Sequence, residues 1–281
     1  EELARKNRLY DYMLYIIVPF QYGALIYFLM SMGQTELTMW DKGGRILSMG
    51  LLCGTFGINV AHELGHRVNK FEQFLAKALL ATSLYIHFFI EHNKGHHKNV
   101  ATPEDPSSAR YNEPLYTFYF RTIIFSYLSA WKIANEDCRK SGKSIYGLGN
   151  EMIQAHFVQI TLLAVITYVA GWLVCLYFMT AAFIGIALLE TVNYIEHYGL
   201  QRKQTSDGKY ERTMPHHSWN SNHHYLASRK YQVLRHHDNA PQLPTGYPGS
   251  MILAMIPAAW FYVMNRKIKE VDATTTRNPE T

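Results

Sequence analysis

At 281 residues, 48 % of them hydrophobic, the chain is within the size of one domain and rich enough in apolar residues to bury a core. A net charge of +5 with no nucleic-acid motif argues for contact with anionic lipid and against a role in binding RNA or DNA. The three cysteines, Cys53, Cys138 and Cys175, are far apart in sequence, which excludes a disulfide framework and a CxxC metal site.

The stretch from Glu1 to Asn7 is charged and is no signal peptide; the chain reads as clipped at its start. Tyr12 to Met32 carries no formal charge and is long enough to cross a bilayer, with Pro19 tolerable inside a membrane helix. After a polar loop from Gly33 to Gly44, Ile46 to Ala61 forms a second span that leads straight into His62. Phe71 to Ile90 is apolar, but one full crossing there would put the first two histidine groups on opposite sides. It is read as an interfacial or re-entrant helix, with Glu72 and Lys77 at the headgroups. Leu115 to Ala134, interrupted by Arg121, is also interfacial. Phe157 to Gly171 and Leu173 to Tyr194 make a tight hairpin of spans turning at Gly171-Trp172. Tyr247 to Val263 contains Pro248 and Pro257 and lies against the membrane, and the polar tail from Asp272 frays.

This reading gives an all-α integral membrane protein, a single domain over residues 1–281 with at least four spans. Nearly all Lys and Arg outside the spans fall in the histidine-bearing segments, and only Lys42 and Arg45 in the opposite loops. The positive-inside rule therefore puts the histidines in the cytoplasm.

Fourteen histidines are present, and the informative ones are grouped. His62 and His66 are four residues apart, as are His92 and His96, so each pair shares a helix face. His97 follows directly, and His197 ends the last span. Neutral imidazole is the commonest transition-metal ligand, and this many imidazoles imply two ions. The absence of Cys ligands argues against structural zinc and iron–sulfur clusters. Nitrogen-rich sites with open positions suit iron that activates O2, with zinc and copper left open on softness alone. Glu63, Glu91 and Glu196 adjoin these histidines and are read either as hydrogen-bond partners that fix their tautomers or as solvated charges at helix ends. His87 packs or lines a substrate cavity, His156 is interfacial, His216-His217 sit in an ordered turn and His236-His237 on the surface. HELGH at residues 62–66 also fits the zinc-protease pattern, but the later spans offer no Asp as a further ligand. A metal transporter would bring its ligands to the bilayer midplane, whereas these lie at span ends.

HELGHR from His62, EHNKGHHKNVATPEDPSSAR from Glu91, NYIEHYGL from Asn193 and HHSWNSN from His216 together resemble the membrane alkane 1-monooxygenases, of the membrane fatty-acid desaturase and hydroxylase superfamily. Xylene-type monooxygenases and lipid desaturases or hydroxylases are the neighbouring readings. The resemblance implies hydroxylation of the terminal carbon of medium-chain alkanes by two non-haem irons, with O2 as co-substrate and rubredoxin as electron donor. It implies a multi-pass protein of the bacterial inner membrane with its site toward the cytoplasm. The implied metal ligands are His62, His66, His92, His96, His97 and His197. That family has two further helices before the first span here, and a last histidine box well after NSN. Here NSN runs directly into His223-His224, as if a helix-length stretch were missing near residues 222–224. His223 and His224 are then expected to stand for the end of that box, with its first position falling on Asn220, which is placed near the metals.

Overall fold

A computed structural model describes residues 8–221 and 240–277. Among the described residues the chain is helical, with no strand and only two isolated bridges, Gln204–Tyr210 and Asn220–Gln242. The main helices are α1 (Arg8–Met32), α2 (Met39–Gly65), α3 (Lys70–Ala81), α4 (Leu115–Lys140), α5 (Glu151–Ala170), α6 (Trp172–His197), α7 (Tyr247–Ala254) and α8 (Pro257–Arg277). Four of them, α1, α2, α5 and α6, are long and apolar enough to cross a membrane, as the sequence predicts.

Local chemistry sets the boundaries. Thr38 and Asp41 close a capping box at the start of α2, each accepting the other's backbone N–H. Asn69 and Asn150 cap α3 and α5 through their side-chain oxygens. Gly171, at φ 88°, ends α5 in a conformation closed to most side chains and starts the turn into α6.

The chain divides into two compact units. The first runs to Gly95 and resumes over Ser126–Leu189; the second holds His96–Phe125 and the chain from Glu190 onward. In the first unit, Leu25, Phe28 and Met32 of α1 pack with Met49 and Cys53 of α2 and Val174, Phe178 and Ala181 of α6. There α2 and α6 approach backbone to backbone: a Cβ on Gly185 would fall 2.6 Å from Cys53 Cβ and 3.0 Å from Gly54 N. Small residues at such a crossing replace the hydrophobic drive that lipid does not provide. A second cluster around Leu64, Leu79, Leu80, Ile90 and Met152 holds the end of α2 against α3 and α5. Trp40, Tyr168 and Trp172 stand exposed at span ends, where amphipathic rings favour the headgroup layer.

In the second unit, Trp260, Met264 and Ile268 repeat every four residues along α8 and pack with Phe118, Tyr194, Tyr198 and Trp219. Arg121 forks onto Glu113 at 2.7 Å and reaches the carbonyls of Pro106 and Ser108.

Several boundaries differ from the sequence reading: α2 begins at Met39, inside the loop expected over Gly33–Gly44, α5 begins at Glu151, and α8 continues past Asp272 to Arg277. The Phe71–Ile90 helix breaks after Ala81, where Leu84 adopts φ 52°, and resumes only as a short turn, Phe88–Glu91. Gln159 donates to the Leu84 carbonyl at 2.7 Å, which holds this uncommon conformation. Helix α4 runs on past Ala134 to Lys140, its last turn carrying Arg139 and Lys140, cations that favour a helix C-terminus.

Candidate metal centre

Helix α2 reaches its histidines through a π-helical turn, Cys53–Ile58, and His62 lies on the last α turn with His66 as its C-cap. The second histidine group is also on a π turn, His92–His96, followed by the short turn His97–Asn99. Such inserted turns rotate the following side chains, and they recur at functional sites.

In the first unit, His62, His66 and His92 converge. Their ligand nitrogens lie within 4.8 Å of one another. The Nε2 atoms of His62 and His66 are 2.9 Å apart, and the His92 ring sits 4.5 Å from that of His62 and 5.2 Å from that of His66. Phe88 stacks on His92 at 4.7 Å and fixes its plane. Gly95 makes this turn possible, since a Cβ there would stand 2.6 Å from Glu91 Oε1, and Glu91 is buried beneath it. Arg67, next to His66, ties down the loop by binding Asp11 at 2.7 Å and Glu72. Burial opposes its charge, but the Asp11 and Glu72 carboxylates outweigh that and raise its pKa. Glu63 lies 3.5 Å from the same guanidinium.

In the second unit, His96 Nδ1 is 2.9 Å from Asp105 Oδ2. A carboxylate only accepts, so Nδ1 carries the proton and the lone pair lies on Nε2, the tautomer a metal ligand needs. Asp105 is itself fixed by Ser107 N–H and the Ser108 hydroxyl. Burial pushes its pKa up, but His96 and Ser108 hold it below the usual carboxylate range. The His197 ring is 5.0 Å from that of His96, with Nδ1 3.3 Å from Ser218 Oγ, and the His97 ring is 5.8 Å from that of His96. Glu196 accepts a 2.6 Å bond from Tyr247. Asn220 joins two chain segments through its main chain, its N–H on Pro241 O and its carbonyl on Leu243 N. His223 and His224, the junction at 222–224 and the His236-His237 pair lie outside the described residues.

Asp105 has no place in the sequence reading. The available signal was its position in the TPEDP string, within a turn's reach of His96. His96 and Asp105 are brought together by a loop in which Ala101 adopts φ 57° and donates its N–H to Ser108.

A further cluster in the second unit, Glu211, His216 and His217, also has ligand atoms within 4.8 Å. Its chemistry is different. His217 Nδ1 accepts the Met214 N–H at 2.9 Å, so Nε2 bears the proton and points to Glu211 at 3.2 Å. Burial and the neighbouring His216 lower the His217 pKa, which keeps it neutral.

Residues 44–248 match the fatty acid desaturase family. The chain is 43 % identical over 242 residues to alkane 1-monooxygenase 1 of Pseudomonas aeruginosa, covering 80 % of this chain and 63 % of that protein. It is 38 % identical over 279 residues to the alkane 1-monooxygenase of Ectopseudomonas oleovorans, covering 94 % and 69 %. The xylene/toluene monooxygenase hydroxylase component of Pseudomonas putida is 27 % identical over 282 residues, covering 93 % of this chain and 75 % of its own. The chain thus spans about two thirds of the length of the two alkane 1-monooxygenases.

Proposed function

This chain belongs to the fatty acid desaturase family, alongside the alkane 1-monooxygenases, and on that premise we propose that it is a membrane hydroxylase of alkanes. The proposed reaction puts one oxygen atom of O2 on the terminal carbon of a medium-chain alkane and reduces the other to water, with two electrons from rubredoxin and two protons. The proposed metals are two non-haem irons. His62, His66, His92, His96, His97 and His197 are proposed to furnish the ligating nitrogens, with His223 and His224 as further ligands.

The observation that carries this reading is the convergence of three imidazole nitrogens, His62, His66 and His92, within 4.8 Å of one another. The donor set fits a divalent transition metal: neutral nitrogen ligands without thiolate, and one further histidine, His96, already locked by Asp105 in the ligating tautomer. When bound, the irons supply the reduction of O2 and the oxidant that attacks a C–H bond. The residues of this chain do the rest. Phe88 and Asp105 orient rings, Gly95 leaves room for Glu91, and Arg67 holds the loop after His66 by its ion pairs. The apolar spans exclude water.

The proposed setting is the bacterial inner membrane with the histidines toward the cytoplasm, supported by the basic residues of the histidine-bearing segments. Lys98, Arg139 and Lys140 are exposed and suit an acidic electron carrier, while Lys94 is tied to Asp137 at 2.6 Å.

The test is turnover by the full protein in lipid with reduced rubredoxin, supplied separately with octane and with toluene. Formation of 1-octanol and two irons per chain is the expected result. Oxidation of toluene alone would move the chain to the xylene-type reading, and one ion per chain would remove the di-iron assignment.

A further inference from the structure

Ser83 is fully buried just beyond the end of α3, and its hydroxyl donates to the Cys53 carbonyl at 3.1 Å. Cys53 is the first residue of the π turn that α2 makes before its histidines. The chain presents Ser83 there because α3 stops: Ser83 N–H bonds Leu80 O, and Leu84 then takes φ 52°. Cys53 answers with its thiol, which donates to the Thr82 carbonyl at 3.3 Å. Thr82 is held in turn by its own hydroxyl on Leu79 O and by Gln21 Nε2, 3.2 Å from Thr82 Oγ1. Gln21, Cys53, Thr82 and Ser83 are all buried from solvent, so a bond lost here is not replaced by bulk water. All of them belong to the first unit.

The Ser83 hydroxyl lies where a regular helix would make its own bond. In an α-helix the Cys53 carbonyl receives the N–H of Gly57, four residues on. Here a Cβ on Gly57 would stand 2.6 Å from Ser83 Oγ, so the hydroxyl lies against Gly57 while it bonds Cys53, at both ends of that step. A side chain inserted into the backbone ladder is one of the few things that deform a helix. The winding there is correspondingly wider, with Asn59 N–H on Gly54 O, five residues back. On the other side Gly185 of α6 shuts the turn in, since a Cβ there would stand 3.0 Å from Gly54 N. The extra residue taken up by a π turn is equivalent to about 100° of rotation for everything after it, at 3.6 residues per turn. His62 and His66 follow on the same helix, and their convergence with His92 depends on that angle.

We propose that Ser83 is a positioning residue: its hydroxyl, wedged between Cys53 and Gly57, keeps the π turn wound and so aims His62 and His66 toward His92. It acts through the backbone of α2. Without the hydroxyl the Cys53 carbonyl is open to the Gly57 N–H, the end of α2 rewinds as α-helix, and both rings swing away from His92. The inference rests on the reading of His62, His66 and His92 as metal ligands.

Electron microscopy of the full protein in lipid nanodiscs, parent against Ser83→Ala, shows the turn directly. The expected result is a regular α-helix through residues 53–65, with both rings turned by about 100°. A π turn and rings that superpose on the parent overturn the proposal. Cobalt(II) added to the metal-depleted protein gives a second readout, because its visible bands report the number and arrangement of nitrogen ligands. Ser83→Ala should bind it about 10- to 100-fold more weakly, as when a group that orients a ligating histidine is lost, and with altered bands. An affinity within twofold of the parent, with the parent's bands, counts against the proposal. Gly57→Ala/Ser83→Ala separates the bond from the packing. Its new methyl refills the space, the nearest other atom being Thr82 Oγ1 at 3.3 Å, but supplies no donor. Recovery of the parent's bands in this double variant would reduce Ser83 to packing, and a defect equal to that of Ser83→Ala supports the hydrogen bond. Should Ser83→Ala fail to fold, the double variant answers the same question in the same two measurements. Absence of cobalt binding in the parent would undo the metal reading, while the maps would still find or refute the dependence of His62 and His66 on Ser83.

Discussion

Set side by side, the His62–His66–His92 group and the Glu211–His216–His217 group look alike by distance, since each gathers its ligand atoms within 4.8 Å. They differ in what the rings do with their nitrogens. His217 gives one nitrogen to the Met214 N–H and the other to Glu211, so no lone pair remains for a cation. His62 and His66 pair Nε2 with Nε2 at 2.9 Å, one donating and the other accepting, and loss of that single shared proton turns both toward a cation. Proximity of imidazoles is therefore a weak criterion, and the commitment of each nitrogen is the stronger one. His96 makes the same point from the other side: Asp105 accepts a hydrogen bond from its Nδ1–H and thereby reserves the Nε2 lone pair.

The comparison breaks most visibly at the first group. His66→Ala or His92→Ala should reduce octane hydroxylation to background and lower iron content, while the protein stays in the membrane. The spans pack through Leu25, Phe28, Phe178 and Ala181, remote in sequence from these rings. Iron analysis and product chromatography check this, and retained turnover would remove the group from the chemistry. Asp105→Asn should weaken iron affinity by about 10- to 100-fold, the usual effect of losing a carboxylate behind a ligating histidine. Competition with a chelator measures it. An affinity within twofold of the parent would reduce Asp105 to a turn former that accepts Ser107 N–H.

Much of this contrast is legible in the sequence, and its limits are physical. The four-residue spacing of His62 and His66 at the end of an apolar run identifies both a span and a face. Adjacency in sequence does not name a carboxylate's partner: Glu63 pairs with Arg67 and Glu196 accepts from Tyr247, because neighbours on a helix point in different directions. The π turns at Cys53–Ile58 and His92–His96 leave no periodic signature, as each inserts only one residue into a helical pattern. Asp105 depends on a loop folded by Ala101 in a left-handed conformation, which no propensity for alanine predicts.

A third prediction uses a histidine held neutral by burial. The pKa of His87, about 4 in the folded protein, lies below its ordinary 6.5. Between those values the unfolded chain binds a proton that the folded chain refuses, so acidification from 6.5 toward 4 destabilises the fold. The full effect is on the order of 3 kcal/mol. Unfolding midpoints measured across this window should fall more steeply for the parent than for His87→Leu. Parallel slopes would mean that His87 accepts a proton in place.

The smallest effect is expected at His217, and it sharpens the comparison most directly. His217→Phe keeps a buried ring of similar shape and removes both hydrogen bonds. Losing them leaves the Met214 N–H without its acceptor, but Glu211 is about one third exposed and can turn to water. The cost should therefore be near the lower end of the range for a broken bond, about 1 kcal/mol. Iron content should not change, because neither nitrogen of this ring offers a lone pair to a metal in the folded state. Loss of iron in His217→Phe, with stability preserved, would give the Glu211 cluster a ligand role and erase the distinction drawn from its hydrogen bonds. Loss of stability with iron retained would place His217 in the scaffold, as its two committed nitrogens require.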